Sequence, residues 1–216
     1  MAELDEARGW YNETLANAAV ASLEKNNIPA FYVKTKEEAR EKVLSLIPPG
    51  STVGHGGSLT LRQAGIFQAI RSGNYHFLDR ERPGITEEEV NALRKESLGS
   101  DIFLLSANAV TMDGKLVNVD GTGNRLAALI YGPRKVIVVA GINKVVPNVE
   151  AAWERIRNFV TPVHARRGGR NVPCAKIGRC VDCKVPGRMC NAEVTIDFQR
   201  DKNRITVIIV GEELGI

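Results

Sequence analysis

Short apolar runs alternate with longer amphipathic segments across residues 29–160. The apolar runs have the length and the branched or aromatic side chains of buried strands, and they lie at 29–33, 51–54, 75–78, 102–105 and 135–140. Helix start signals occur between them: Thr35 is followed by two glutamates and Thr86 by three. Strands alternating with helices predict an α/β fold, with a mainly parallel sheet covered by helices on both faces.

Other elements are expected outside this alternation. Apolar positions in residues 1–28 predict a long N-terminal helix that ends near Asn26-Asn27. Helices are also expected over 58–72 and 148–159. Asp113-Gly114 lies between two β-rich runs, which is typical of a hairpin turn.

The C-terminal part of the chain differs in character. Runs at 194–198 and 205–210 are expected to form a terminal β pair. A cysteine-rich loop at 173–191 precedes them and is interpreted as an ordered appendage to the fold. We therefore divide the chain into an N-terminal helix, 1–28, and one domain, 29–216, which includes this loop.

Composition adds limits on class and compartment. The chain has 216 residues, 44% of them hydrophobic, which is enough to bury a full core in one domain. The first residues carry no signal-peptide pattern, and no apolar run is long enough to span a membrane. We therefore expect a cytoplasmic protein with no membrane partner, whose thiols stay reduced.

Four cysteines are clustered within 17 residues, and the chain contains no others. They are Cys174, Cys180, Cys183 and Cys190, with five, two and six residues in the intervals. Four thiolates on one loop can supply the whole coordination shell of a soft metal centre. Disulfides or redox-active thiols are the alternative interpretation, which a reducing compartment disfavours.

The identity of the metal is less constrained than its presence. Structural zinc sites usually combine two close cysteine pairs, whereas only Cys180 and Cys183 form such a pair here. The bacterial ferredoxin spacing is not matched either. The wide outer intervals suit a bulky cluster, so a [4Fe–4S] cluster is the preferred cofactor and Zn²⁺ the alternative.

Positive charge is concentrated around the cysteines. Residues 155–188 contain nine Lys or Arg side chains and one acid, Asp182, a net charge of +8. Four thiolates around Zn²⁺ or a 2+ cluster leave a net charge of −2, which these cations would stabilise. An ordinary solvated basic face is the alternative. Nucleic acid is a less favoured partner because interleaved aromatic residues and recognition motifs are missing.

A glycine-rich segment follows the predicted strand at 51–54. It contains Gly54, His55, Gly56, Gly57, Ser58 and Thr60. A strand that enters a glycine turn and then a helix can direct backbone N–H groups at a phosphate or carboxylate. A tight turn with Ser58 as helix cap is the structural alternative. His55 is the best acid–base candidate of the three histidines, against a plain turn residue.

A second polar loop follows the predicted hairpin. It contains Asp120, Gly121, Thr122, Gly123, Asn124 and Arg125. Its carboxylate, hydroxyl, amide and guanidinium lie at a predicted strand end, where open α/β sheets bind ligands. We expect the two loops to bind a small anionic metabolite together. A purely structural Asx turn at Asp120 is the alternative.

Two segments give the chain a family resemblance: TVGHGGSLTL, and NAVTMDGKLVNVDGTGNRLAALIYGPRKVIVVAGINKV. They resemble the LUD (lactate utilisation) domain family over roughly residues 10–215, in a short form with a four-cysteine C-terminal motif. The resemblance implies the fold shared by ribose-5-phosphate isomerase, glucosamine-6-phosphate deaminase and CoA transferases (NagB/RpiA/CoA transferase-like). It identifies no catalytic residue, because no glutamate here matches a CoA-transferase motif.

Three functional hypotheses follow. The first is a role in lactate or organic-acid utilisation or in associated electron transfer, with a possible electron-transfer protein partner. The second is a CoA transferase-like, phosphosugar or folate-type enzyme with structural zinc on the cysteines. The third is a non-catalytic partner subunit. A homo-oligomer is compatible with each of them.

Overall fold

The computed structural model describes residues 2–216, and its centre is a six-stranded parallel sheet. Its strands are β1 (Ala30–Val33), β2 (Thr52–His55), β3 (His76–Phe77), β4 (Ile102–Leu105), β7 (Lys135–Gly141) and β10 (Ile205–Val210). They lie in the order β1-β10-β7-β4-β2-β3. The α/β fold class predicted from the alternation of runs is confirmed.

A second, smaller sheet packs beside the first. Its order is β8-β5-β6-β9, with strands β5 (Ala109–Thr111), β6 (Leu116–Asp120), β8 (Val145–Val146) and β9 (Ala192–Ile196). β5 and β6 form the predicted antiparallel hairpin around Asp113-Gly114. Gly114 has a φ of +83°, and a Cβ there would lie 2.5 Å from the Ser22 carbonyl carbon, so the turn requires glycine.

Helices cover both faces of the parallel sheet, as predicted. They are α1 (Ala2–Lys25), α2 (Lys36–Ser45), α3 (Leu59–Gln63), α4 (Ile66–Ser72), α5 (Glu87–Glu96), α6 (Asn124–Ile130), α7 (Val149–Arg155), α8 (Thr161–Arg167) and α9 (Pro173–Ile177). Between α7 and α8 the chain continues through a π-helical segment, Ile156–Val160. Thr35 and Thr86 cap α2 and α5 as expected, and Thr86 forms a full capping box with Glu89.

Alternate residues of the central strands face two separate cores. In β7, Val136 and Val138 pack on the side of α1 and α6, while Ile137 and Val139 pack on the side of α2, α3 and α4. Because a strand buried on both faces contacts two apolar layers, its sequence is continuously hydrophobic. Burial of each such side chain stabilises the fold by roughly 1.5–3 kcal/mol.

The predicted terminal β pair is wrong in its pairing. Both strands form, but β9 pairs antiparallel with β6 in the small sheet, and β10 lies between β1 and β7 in the large one. The physical reason is their burial pattern. β10 is buried along its whole length and needs a neighbour on each side, whereas β9 alternates and forms the edge of its sheet.

The predicted helix over 58–72 is also divided. It ends after Gln63 and restarts at Ile66, because Gly65 has a φ of +68° that a continuous helix does not allow. The helix predicted over 148–159 begins where expected but continues to Arg167 through the π-helical segment.

The N-terminal helix forms as expected and ends before Asn27, which has a left-handed φ of 62°. Its residues Ala16, Ala19 and Leu23 are fully buried in the core on one face of the sheet. The division of the chain at residue 28 stays a prediction. Among the described residues, no helix has the length and apolarity required to cross a membrane.

Candidate functional site

A polar cleft of about 490 Å³ opens at the carboxyl-terminal edge of the parallel sheet. Segments that follow five of the six strands line it: 57–60 after β2, Arg80 after β3, Ser106 after β4, Lys144 after β7 and Gly215 after β10. The loop after β6, helix α8 and the cysteine loop also contribute to the wall. Parallel strands bring their carboxyl ends to one edge, so side chains distant in sequence meet there.

The structure brings the two predicted loops together in this cleft. Residues from both contribute to its lining: Gly57, Ser58, Thr60, Asp120, Gly121, Thr122, Asn124 and Arg125. Four other predicted residues, Gly54, His55, Gly56 and Gly123, lie outside the lining. Gly54 packs against Ser97, where a Cβ would approach to 2.8 Å. A Cβ on Gly56 would lie 2.9 Å from the Arg125 side chain, so glycine at this position leaves room for Arg125 to pack against the loop.

His55 lies in the core rather than in the cleft. His55 is 1% exposed, and its ring packs at a tilt against Phe67 and Phe77, with centroids 4.6 and 5.1 Å away. Burial, followed by repulsion from Arg80, lowers the pKa of His55 to about 4. The imidazole is therefore neutral at pH 7 and faces aromatic rings, an environment that does not suit the acid–base role expected from its position in the loop.

Arg125 organises the second loop from within. Its guanidinium donates five hydrogen bonds of 2.6–3.2 Å, and their acceptors are the side chains of Asp120, Asn118 and Asn108 and the carbonyls of Ser106 and Val119. A guanidinium has five N–H donors, so this network uses all of them. Arg125 holds strand ends together and, in this arrangement, has no donor left for a ligand.

Asp120 is likewise engaged within its own loop. Oδ1 accepts hydrogen bonds from the backbone N–H groups of Thr122 and Gly123, at 2.9 and 2.8 Å. Oδ2 accepts one from Arg125 at 3.1 Å. This is an Asx turn, the structural alternative for this loop, and it shapes the wall of the cleft.

The four cysteines lie around one small cavity of about 20 Å³, bordered also by Thr161, Val172 and Met189. Cys174 is on α9, and the other three are on the extended chain that follows. Burial, followed by the neighbouring thiols, raises the pKa of both Cys174 and Cys190. Among residues 2–216, however, no three His, Cys, Asp or Glu side chains are placed so that they could hold a metal ion as they stand.

Hydrogen bonds shape the cysteine loop and fix it to the cleft. The Asp182 N–H donates to Cys180 Sγ at 3.3 Å, in a turn where Asp182 has an uncommon φ of 45°. Arg188 donates to the carbonyls of Cys183 and Cys190, at 2.7 and 2.9 Å. Asn191 donates from its side chain to the Gly121 carbonyl. Arg188 also lines the cleft, so the two regions share a wall.

Comparison with known proteins gives the family. The LUD domain matches this sequence over residues 16–210, which is most of the chain. The chain belongs to the LUD domain family. The resemblance expected from the glycine-rich and DGTGNR segments is therefore confirmed. No curated protein matches the sequence.

A solved structure supports the fold of this LUD domain. A DUF162 family protein from Deinococcus radiodurans is similar over 93% of this chain and 98% of that chain, with a TM-score of 0.52 and 13% identity. Ribose 5 phosphate isomerase A from Neisseria gonorrhoeae matches over 53% of this chain and 54% of that chain, with a TM-score of 0.34 and 16% identity. At such identities the first likeness concerns the fold alone.

Most of the charge in the LUD-domain cleft comes from residues that sequence reasoning missed. The cations that line it are Arg62, Arg80, Arg94, Arg125, Lys144, Arg167, Arg170 and Arg188, against the two acids Glu81 and Asp120. Arg167, Arg170 and Arg188 belong to the basic stretch at 155–188, whose charge the sequence analysis related to the cysteines, whereas Arg62, Arg80 and Arg94 read as solvated surface residues. Lys144 carried one usable signal, since it follows the most apolar strand at its carboxyl end.

Proposed function

We propose that this LUD-domain protein binds a small organic anion in the cleft and serves organic-acid utilisation of the lactate type. The excess of eight cations over two carboxylates around one concave space carries the proposal. Family membership supports the same general role. A cavity of about 490 Å³ is within the usual size range for small-molecule sites.

Mutual repulsion among these cations favours an anionic occupant. Burial lowers the pKa of Arg80, and Arg94 lowers it further by repulsion. Arg80 Nε and Arg94 Nε are buried and have no hydrogen-bond partner among the described residues. A carboxylate or phosphate between them would relieve the repulsion and accept these hydrogen bonds. Electrostatic attraction would contribute more than shape to the recognition of such a group.

Calorimetric titration tests the proposal, with lactate, pyruvate, a sugar phosphate and a CoA thioester as probes. We expect at least one carboxylate probe to bind, and Arg80→Gln to weaken its binding at least tenfold. Arg82→Gln is the matched control, because Arg82 lies two residues away and outside the cleft lining. A preference for the sugar phosphate or CoA thioester would favour the alternative enzyme class. No binding by any probe would contradict the proposed function.

We further propose that the four cysteines hold a metal centre beside this cleft. The donor set fits: four thiols border one cavity, one sulfur accepts a backbone N–H, and Arg188 draws the loop together. A [4Fe–4S] cluster is the expected occupant because of the wide outer spacing. Such a cluster would supply one-electron chemistry. The cavity of about 20 Å³ is close to one water-sized sphere, so a cluster requires the loop to move outward.

Anaerobic purification followed by metal analysis tests this centre. A cluster gives a brown protein with broad visible absorbance and bound iron and sulfide. A colourless protein with one zinc per chain would show that the cysteines hold the alternative occupant, a structural zinc ion. Protein with neither metal, even after reconstitution with iron and sulfide or with zinc, would contradict a metal role for the cysteines.

A further inference from the structure

One buried amine in the cleft has no acidic partner. Lys144 is 4% exposed and ends the short turn that follows β7. Its Nζ donates to Thr60 Oγ1 at 2.8 Å and to Ser106 Oγ at 2.9 Å. No carboxylate of the described residues lies within 4 Å of it. A buried lysine without a counter-ion is costly, and this often marks a functional site.

The surroundings of Lys144 keep part of the amine neutral at physiological pH. Burial, together with repulsion from Arg155 and Arg125, lowers the pKa of Lys144 to about 7. Both guanidiniums are fixed nearby, Arg155 by the carbonyls of Asn143 and Asn108. An amine of this kind is a nucleophile, whereas a solvated lysine is almost fully protonated.

Two hydroxyl groups are placed to assist proton transfer at Nζ. Thr60 Oγ1 and Ser106 Oγ accept from the lysine and donate in turn to the carbonyls of Leu214 and Ala107. These two bonds leave one further position on the nitrogen, and Lys144 lines the cleft. A ligand carbonyl in the cleft would therefore meet a buried nucleophile beside proton-carrying groups.

We propose that Lys144 forms an imine with the carbonyl carbon of a small 2-oxo acid bound in the cleft. The neutral amine adds to the carbonyl carbon, and both amine hydrogens leave with the carbonyl oxygen as water. A C=N bond replaces the C=O bond, so the step needs no oxidant or reductant. Arg80 and Arg94, which line the cleft and have hydrogen-bond donors without partners among the described residues, would bind the carboxylate of the same molecule, and this selects a 2-oxo acid over an uncharged aldehyde. This inference rests on the proposed anion binding.

Borohydride trapping with pyruvate tests the inference. We expect one reduced pyruvate adduct per chain, located on the peptide that contains Lys144. Trapping should accelerate as pH rises through about 7, because the neutral amine becomes more abundant. Lys144→Arg should reduce the trapping rate at least tenfold, while exposed Lys95→Arg should not change it. Circular dichroism checks that both variants fold.

The outcomes separate this inference from the function on which it rests. If calorimetry shows that pyruvate or lactate binds but no adduct forms, Lys144 is not an imine-forming residue and anion binding stands. Adducts spread over surface lysines, or unchanged in Lys144→Arg, would overturn the inference in the same way. If no anionic probe binds, the proposed function fails and the imine proposal fails with it.

Discussion

The cleft and the cysteine loop adjoin each other, yet they are held in place by different physical means. The cleft walls follow strands whose side chains belong to two large apolar cores. The cysteine loop packs on a small cluster in which only Ala165 of α8, Val172 and Cys174 are buried. Its shape depends instead on hydrogen bonds from Arg188 and Asn191.

This difference indicates that metal binding and local stability are coupled in the cysteine loop, whereas the cleft is stable without a ligand. Strand ends are fixed before any ligand arrives, so anion binding should change the cleft little. A loop with few buried apolar contacts gains most of its order from cross-links, and a metal centre is a strong one. Perturbing either region should therefore have distinct, separable effects.

The largest expected effect is on the cysteine loop. Replacing Cys180 and Cys183 together by serine should remove all bound metal and accelerate tryptic cleavage after the exposed Arg179 and Lys184 of the loosened loop, while the circular dichroism of the sheet is kept. Val181→Ser is the matched control, since Val181 is an exposed residue of the same turn. Global unfolding of the double variant would contradict the separation of the two regions.

Loss of the Arg125 network should have the next largest effect. Arg125→Ala leaves the Asp120 carboxylate and several carbonyls without their donor, which should cost about 3–5 kcal/mol of unfolding free energy. Urea denaturation measures it. Arg62→Ala is the control: Arg62 also lines the cleft, but its pair with Glu81 is at the surface and should contribute less than about 1 kcal/mol. Equal losses would show that the cleft wall is not held by Arg125.

His55 should make the free energy of unfolding depend on pH in the acidic range. Its native pKa of about 4 is below that of the unfolded chain, so unfolding takes up a proton between pH 6.5 and 4. Stability should be unaffected by His55 above pH 6.5 and should fall with decreasing pH, by up to about 3 kcal/mol in total. His55→Phe should flatten this dependence in urea denaturation series. The control, exposed His76→Phe, should preserve it.

Much of the fold could be predicted from the sequence because its signals are local. The apolar run of β7, the caps at Thr35 and Thr86 and the Asp113-Gly114 turn each determine structure within a few residues. The partner of β9 could not be predicted in this way, since both the next strand, β10, and the distant strand β6 are possible partners, and burial decides between them. The helix break at Gly65 was not predicted, because a single residue with positive φ does not change the helical spacing of the apolar residues around it.

The candidate site was predictable only in part for the same reason. Loops with glycine and Asx-turn chemistry can be recognised in sequence, and eight of the twelve residues assigned to them line the cleft. The roles of His55 and Arg125 depend on what packs around them, which sequence does not display. Arg80, Arg94 and Lys144 become one cationic surface only when parallel strands bring their ends together.

The smallest expected effect concerns ligand affinity rather than stability. Gly57 lines the cleft, and a Cβ at this position would lie 3.2 Å from Arg80 Nη2 and 3.7 Å from Glu81 Oε1. Gly57→Val would place its methyl groups in front of Arg80, so anion binding should weaken at least tenfold, about 1.4 kcal/mol. Gly9→Val, on an exposed turn of α1 with open space around it, is the control and should bind normally. Calorimetry and a urea series on both variants separate affinity from stability. Unchanged affinity in Gly57→Val would show that the anion does not approach Arg80 past this loop, and the proposed site would then have to lie elsewhere in the cleft.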